Sequence, residues 1–208
     1  MSRRVLTAED LEGVASGGTL ELPADTLVTP LARDEAAQRG ISLRFLRTDS
    51  EPTRTATPRA VAIGADHGGY ELKQELTGYL RAWGYTVLDQ GTDSTAAVDY
   101  PDFAEAVANA VARGDAWRGI VIDSAGIGSA IAANKVSGVR AALCYDRATA
   151  RNSREHNDAN VLTLGARLIS PEAAREIVAA WLETPFVGGR HARRVDKITA
   201  IEARNRKS

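Results

Sequence analysis

Hydrophobic and polar positions change their pattern at about residue 60. Beyond it, short apolar runs alternate with longer stretches whose apolar residues recur every three or four positions. The short runs are typical of buried parallel strands, and the longer stretches are typical of amphipathic helices. Strands are predicted at 60–64, 86–89, 119–122, 139–144 and 161–164, and helices at 70–83, 102–113, 129–135, 147–155, 171–182 and 190–207.

This alternation predicts an α/β fold with a five-stranded, mainly parallel sheet, helices on both faces and right-handed crossovers. In such a sheet the carboxyl ends of the strands line a ligand crevice. Asp66 and His67 follow the first strand, and Asp123 and Ser124 follow the third. We therefore expect these four residues to lie side by side.

Residues 1–48 form a separate, small α+β extension. A capped helical turn is predicted near Thr7, strands at 19–22 and 41–45, and a helix at 31–38 with Thr29 as its N-cap. Residues 49–59 are polar, contain two prolines and lack periodicity, which indicates a linker. The main domain is then 60–208.

Composition narrows the function. The net charge of −1 and the 5% aromatic content give no support for nucleic-acid binding. No apolar run is long enough for a membrane helix, and the N-terminus lacks the apolar core of a secretory signal. The single cysteine, Cys144, lies in an apolar strand and is interpreted as a core thiol. We expect a cytoplasmic protein that contacts neither membrane nor nucleic acid.

The stretch 119–142 is the first candidate for chemistry. A strand, a glycine-rich turn and a helix follow one another, an arrangement that points backbone amides at an anion. Asp123 stands at the strand end, where a carboxylate could transfer protons to a bound substrate. An ordinary βα turn with Asp123 as a cap explains the same residues, so both interpretations stand on this stretch alone.

Histidines and arginines supply the second candidate set. His67, His156 and His191 all lie at predicted element ends, and histidine is the usual proton-transfer side chain near neutral pH. Arg190 and Arg194 share a helix face and suit a phosphate. Capping histidines and a solvated basic face are the alternative explanations.

The chain from 61 to about 203 resembles the type B ribose-5-phosphate isomerases and their galactose-6-phosphate isomerase relatives. The matching stretches are GADHGGYELK at 64–73, VDYPD at 98–102, GIG at 126–128 with IAANK at 131–135, REHNDAN at 154–160, and GGRH at 188–191 with RV at 194–195. The resemblance implies a Rossmann-like three-layer sandwich that needs no metal or cofactor. It also implies a homodimer or homotetramer with its active site between subunits.

The resemblance also implies residue roles. His156 from the neighbouring subunit would open the sugar ring with Asp66. The amides of Gly126, Ile127 and Gly128 would stabilise an enediolate, and Ser124 in the same loop would bind substrate. Asn157 would bind the sugar oxygens, and Tyr100 would line the pocket. The phosphate would be held by His67, Arg190 and Arg194, with Arg167 from the neighbour.

This chain differs from the family at the residue that serves as the catalytic base. One subgroup uses a cysteine at the position of Asp123, followed two residues later by threonine, and the other a glutamate at the position of Ser129. Here Asp123, Ala125 and Ser129 stand instead. Asp123 itself could be the base of an aldose–ketose isomerase acting through a cis-enediolate. Another sugar phosphate could be the substrate, or the chain could bind sugar phosphate without turnover.

The extension carries a weaker resemblance. Residues 22–33 and 39–41 resemble a segment on some enzymes of bacterial microcompartments and, faintly, the subunit-binding domains of 2-oxo acid dehydrogenases. This implies docking to a microcompartment shell or cargo protein, and a place inside that compartment. A stabilising extension packed on the catalytic domain, or an oligomer interface, is the alternative.

Overall fold

The computed structural model describes residues 5–23, 26–46 and 59–205. The chain divides into two compact units, residues 1–57 and 58–208. The linker predicted at 49–59 lies outside the described residues except for Arg59. No helix within the described ranges has both the length and the hydrophobicity to cross a membrane.

The described part of the first unit contains two pairs of parallel strands, a short 3₁₀ helix (Glu9–Leu11) and one α-helix. β1 (Val5–Leu6) pairs with β3 (Leu27–Val28), and β2 (Thr19–Pro23) pairs with β4 (Ser42–Leu46). Helix α1 (Pro30–Gln38) begins as predicted, because the Thr29 hydroxyl accepts the Ala32 amide at 3.3 Å. A small apolar core joins them, formed by Leu6, Leu11, Leu22, Ala32, Ala36 and Ile41. The two-residue strands β1 and β3 were not predicted, since so short a run has no periodicity.

The second unit is a five-stranded sheet in which every pairing is parallel. Its order is β6-β5-β7-β9-β8. The strands are β5 (Ala60–Ala65), β6 (Thr86–Asp89), β7 (Arg118–Asp123), β8 (Ala141–Leu143) and β9 (Val161–Gly165). The helices are α2 (Tyr70–Ala82), α3 (Tyr100–Ala112), α4 (Ile127–Ala133), α5 (Arg147–Asn157), α6 (Pro171–Glu183) and α7 (Arg190–Asn205). The predicted α/β fold is confirmed.

Two apolar cores lie on opposite faces of this sheet. Because alternate strand residues point to opposite faces, Val61 and Ile63 enter one core and Ala62 the other. The first core packs against side chains of α2, α5 and α6, and the second against α3 and α4. The result is the three-layer sandwich expected for this fold class.

Element boundaries differ from the predictions where turn geometry intervenes. Helix α3 begins at Tyr100 rather than 102, because Pro101 fits a first-turn position that needs no amide partner. Helix α4 begins at Ile127 rather than 129, directly after Gly126 at φ +78°. Strand β8 is shorter than 139–144, since the Val139 amide donates to Val136 in a turn.

Arg118 ties the start of β7 to the end of α6. Its guanidinium donates to the carbonyls of Trp181 at 2.6 Å, Leu182 at 2.9 Å and Thr184 at 3.2 Å. These carbonyls belong to the end of a helix, where intrahelical partners are missing. Burial, and secondarily Arg154, lowers the pKa of Arg118 to about 9, so the side chain stays charged at neutral pH. It thereby fixes the segment that leads into α7.

Arg118→Met should destabilise the protein by about 2–4 kcal/mol, because buried carbonyls lose their donors. Urea unfolding would measure this change. Arg113→Met is the matched control, because Arg113 forms an exposed pair with Asp115, and its cost should stay below about 0.5 kcal/mol. Equal costs for the two variants would contradict the assigned role of Arg118.

Candidate active site

Three strand ends bring the first candidate residues together. Asp66 follows β5, Ser124 follows β7 and Arg167 follows β9. The Asp66 amide donates to the Ile122 carbonyl at 3.2 Å, and the Arg167 amide to the Ser124 carbonyl at 3.1 Å. We call this the carboxyl edge; it comprises Asp66, His67, Tyr100, Arg167 and the loop 123–129. The expected proximity of Asp66 and Ser124 is observed.

Gly68 allows the Asp66 carboxylate and the Ser124 hydroxyl to face the same small space. A Cβ at Gly68 would lie 2.5 Å from Ser124 Oγ and 3.3 Å from Asp66 Oδ1. Asp66 is buried, and its Oδ1 accepts the Gly69 amide at 3.0 Å. The described residues give its Oδ2 no hydrogen bond, so this oxygen keeps its acceptor capacity for a ligand.

His67 and Tyr100 lie beside this loop. His67 Nδ1 lies 3.2 Å from the Val98 amide nitrogen, which anchors the ring ahead of α3. The Tyr100 ring packs directly on the backbone of Gly128, where a Cβ would lie 2.5 Å from its Cζ and 2.8 Å from its hydroxyl oxygen. Glycine at 128 is therefore a requirement of this close approach.

Asp123 holds the loop through four hydrogen bonds. Oδ1 accepts the amides of Ala125, at 2.7 Å, and Gly126. Oδ2 accepts the Ser129 amide at 3.0 Å and the Ser129 hydroxyl. A carboxylate offers about four acceptor sites, so all of them are occupied. Asp123 and Ser129 are both buried.

The expected anion hole is therefore only partly open. The Gly126 amide, which the resemblance assigns to an enediolate, already donates to Asp123. The amides of Ile127 and Gly128 lie in the first turn of α4, where no intrahelical acceptor exists. Within the described ranges these two amides have no other acceptor. The anion site is thus narrower than predicted.

His156, Asn157, Arg190 and Arg194 lie at the opposite edge of the sheet, which we call the amino edge. Helix α5 ends at this edge, and the Val187 amide just ahead of α7 donates to the Glu155 carbonyl at 3.2 Å. Strand β7 separates the two edges, and its six residues span about 17 Å. His156 cannot therefore reach Asp66 of the same chain.

The single chain groups the predicted phosphate ligands differently from the division between subunits that the resemblance implies. Arg167 was assigned to the neighbour and Arg190 and Arg194 to the subunit that carries His67. Instead, the Arg167 backbone bonds Ser124 at the carboxyl edge with His67. Arg190 begins α7, beside His156 at the amino edge. One chain thus carries His67 and Arg167 together, and the other two arginines accompany His156.

Two histidines stack at the amino edge. The rings of His156 and His191 lie 4.1 Å apart at an interplanar angle of 2°. Burial, followed by His156, Arg190 and Arg194, lowers the pKa of His191. Asn152 Nδ2 lies 2.8 Å from His156 Nδ1 and fixes the orientation of that ring.

Sequence reasoning missed the contacts that three residues of these edges make. Ser129 bonds Asp123, the Tyr145 hydroxyl donates to the Ala125 carbonyl at 3.0 Å, and the His191 ring stacks on His156. Ser129 was named only as the position of the family's glutamate, and His191 was noticed but received no role. Nothing in the sequence marks Tyr145.

Two grooves of the second unit do not include the residues of the carboxyl edge. One, of about 680 Å³, runs between α7 and residues 134–142 and includes Asn157. The other, of about 530 Å³, lies beside α6 and includes Arg147, Arg151 and Arg175. Neither groove is lined by Asp66 or Asp123.

Residues 61–198 match the family described as Ribose/Galactose Isomerase. The chain belongs to this family. It is 47% identical over 146 residues to ribose-5-phosphate isomerase B of Escherichia coli, covering 70% of this chain and 98% of that protein. It is also 46% identical to the D-erythrulose-4-phosphate isomerase of Pectobacterium atrosepticum over 69% of this chain and 95% of that protein. The predicted resemblance is confirmed, and the chain is a member of an isomerase family.

Solved structures agree. Ribose-5-phosphate isomerase B of Clostridium thermocellum superposes with a TM-score of 0.70 at 53% identity, over 70% of this chain and 99% of that one. The type B enzyme of Trypanosoma brucei gives 0.67 at 48%, over 69% of this chain and 99% of that one. Since these relatives are almost fully covered, the first unit has no counterpart in them.

Asp123→Asn keeps the shape of the side chain but should still destabilise the loop. One amide oxygen replaces two acceptors, and the new NH₂ group faces donors at Ser129. We expect a loss of about 2–4 kcal/mol and faster hydrogen exchange at the amides of Ala125, Gly126 and Ser129. Asp115→Asn, at an exposed surface pair, is the control. Unchanged exchange at the three amides would contradict the observed bonding.

Proposed function

We propose that this chain is an aldose–ketose isomerase that converts ribose 5-phosphate to ribulose 5-phosphate, or a closely related sugar phosphate, through a cis-enediolate. The observation that carries the proposal is the pairing of proton-transfer and anion-binding groups at the carboxyl edge. A buried carboxylate with one uncommitted oxygen, Asp66, lies beside the Ser124 hydroxyl and two amides without acceptors. The chain also matches ribose-5-phosphate isomerase B over nearly that protein's full length.

Ring opening is the first step for a cyclic sugar phosphate. Asp66 accepts the proton of the C1 hydroxyl, the bond from C1 to the ring oxygen breaks, and His156 protonates that oxygen. Since the two groups lie at opposite edges of one chain, His156 comes from a second copy. A homodimer or homotetramer is therefore the functional unit.

Substrate binding uses both edges. His67 and Arg167 of one copy, with Arg190 and Arg194 of the other, hold the phosphate, because guanidinium groups bind it bidentately. Asn157 binds oxygens of the opened sugar and Tyr100 lines the pocket. The amides of Ile127 and Gly128 stabilise the enediolate oxygen.

Asp123 is the proposed base for the proton at C2. A carboxylate that accepts four hydrogen bonds has no free lone pair with which to take a proton. Three of its donors are backbone amides, but the fourth is the rotatable Ser129 hydroxyl. Rotation of that hydroxyl frees one lone pair of Oδ2. Neither a metal nor a cofactor takes part in this scheme.

A second candidate is a non-catalytic sugar-phosphate binder or an assembly component of a bacterial microcompartment. The saturated Asp123 carboxylate favours it, because the same four hydrogen bonds make a complete structural cap. Such a protein would bind phosphate through Arg190 and Arg194 and leave the C2 proton in place.

The first unit is proposed to dock the protein, either to a microcompartment partner or to other copies of the chain. Relatives that lack a counterpart of this unit support a role outside the chemistry. The chain then works in the cytoplasm or inside such a compartment. Deleting residues 1–57 should leave turnover unchanged and alter localisation or assembly, as seen by microscopy and size-exclusion chromatography. Lost turnover in a folded truncation would contradict this division of labour.

The isomerase proposal predicts ketose formation from ribose 5-phosphate in D₂O, with deuterium at C1 of the ribulose 5-phosphate formed and at C2 of the ribose 5-phosphate recovered. Asp123→Ala should lower kcat by about 10²–10⁴-fold. Asp123→Cys combined with Ala125→Thr rebuilds the base of the cysteine subgroup and should recover activity, which separates loss of the base from misfolding. Ser129→Ala should keep turnover, because it leaves Oδ2 free.

Two results would count against this assignment. Full activity in a folded Asp123→Ala variant would remove Asp123 as the base. Phosphate-dependent binding that is lost in Arg190→Ala and Arg194→Ala, without turnover or exchange in the parent protein, would establish the binder instead.

A further inference from the structure

His191 forms an unusual contact for a buried polar side chain. It is 6% exposed, and its ring lies flat against His156 at 4.1 Å. Its Nδ1 is buried and has no hydrogen-bond partner among the described residues. A buried nitrogen without a hydrogen-bond partner destabilises the folded state, so another interaction must hold the His191 ring in this position.

Hydrogen bonds define where the protons of this pair lie. Arg190 Nε, which can only donate, lies 3.3 Å from His191 Nε2. His191 is therefore neutral, with its proton on Nδ1. The Asn152 side-chain amide lies 2.8 Å from His156 Nδ1 and engages that nitrogen, which accepts from the amide NH₂ in the neutral ring and donates to the amide oxygen in the protonated ring. His156 Nε2 is left as the nitrogen that carries a proton towards a ligand.

Charge around the pair keeps His191 neutral. His156 faces it from α5, and Arg190 and Arg194 come from its own helix. Burial and these groups lower its pKa. Two imidazolium rings at this separation would repel one another, which disfavours a charge on His191 whenever His156 is protonated. A neutral ring beneath a protonated one is instead a favourable cation–π contact.

We propose that His191 is a positioning residue for ring opening: its neutral ring supports His156 so that the proton of the pair lies on His156, where the sugar ring oxygen can take it. This rests on the proposed function. In the step that His191 supports, the C1 hydroxyl proton passes to Asp66 and the bond from C1 to the ring oxygen breaks. The ring oxygen then takes the proton from His156 Nε2, and an open-chain aldehyde results.

The test separates ring opening from proton transfer at carbon. Ribose 5-phosphate is a closed furanose, whereas ribulose 5-phosphate is open-chain, because its C5 oxygen bears the phosphate. His191→Ala should lower kcat for ribose 5-phosphate by about tenfold or more. Exchange of the C1 proton of ribulose 5-phosphate with D₂O, which needs no ring opening, should change by less than about twofold. KM should also stay within about twofold, since both arginines remain.

His191→Phe keeps a flat ring and removes the orphaned polar atom. It should restore ribose 5-phosphate turnover to within about threefold of the parent protein, because stacking of aromatic rings is retained. Arg193→Ala, at an exposed position of the same helix, should change neither rate. In ¹⁵N-histidine NMR spectra of the unliganded protein, His191 should show the neutral Nδ1–H pattern at pH 6.5, the ordinary histidine pKa.

Several outcomes overturn the inference. Equal losses of turnover and exchange in His191→Ala would indicate a general structural role. A His191→Phe variant as slow as His191→Ala would exclude support of His156 by a neutral ring. A protonated His191 at pH 6.5 would exclude it as well. A parent protein with neither turnover nor exchange would instead refute the proposed function, so the two failures are distinguishable.

Discussion

The Asp123 carboxylate determines the shape of the carboxyl edge. It accepts the amides of Ala125, Gly126 and Ser129 and the Ser129 hydroxyl, and this sets the turn from β7 into α4. Since all four acceptor sites are used, the same residue cannot be both an unchanged cap and a base. Three amide donors are fixed by the backbone, so chemistry at Asp123 depends on the mobile Ser129 hydroxyl.

The sheet imposes the second constraint. β7 separates the Asp66 and Ser124 side of the unit from the His156 and Arg190 side by about 17 Å. The proposed acid, His156, and its proposed partner, Asp66, are therefore far apart in one chain. A reaction that needs both requires a second copy. Each edge is internally organised, one by Asp123 and the other by the stacked histidines.

Much of this could be predicted from local pattern. Buried strands and amphipathic helices are readable from periodicity, and the carboxyl ends of parallel strands meet at one edge, so the neighbours Asp66 and Ser124 were foreseeable. Arg167 shows the limit. Its motif indicated a role in phosphate binding but not the end of the sheet at which Arg167 lies. Only the strand order and the crossovers decide which residues meet.

Hydrogen-bond saturation at Asp123 and the neutral state of His191 could not be predicted either. Both depend on atoms brought together from different elements: Ser129 of α4 against the end of β7, and His156 of α5 against α7. Helix starts also shifted where Pro101 and Gly126 set the backbone. Sequence patterns report which residues are apolar or polar, but the geometry of single acceptor oxygens follows only from packing.

Mixing two inactive variants tests the composite site most directly. Asp66→Asn disables the carboxyl edge and His156→Ala the amino edge, so each variant alone should fail to isomerise ribose 5-phosphate. If the site joins the two edges from two copies, mixed dimers regain one intact site, and random exchange restores about a quarter of the parent rate in a two-fold symmetric dimer. A mixture that exchanges subunits, as shown by mass spectrometry, yet stays inactive beside an active parent protein would contradict the account.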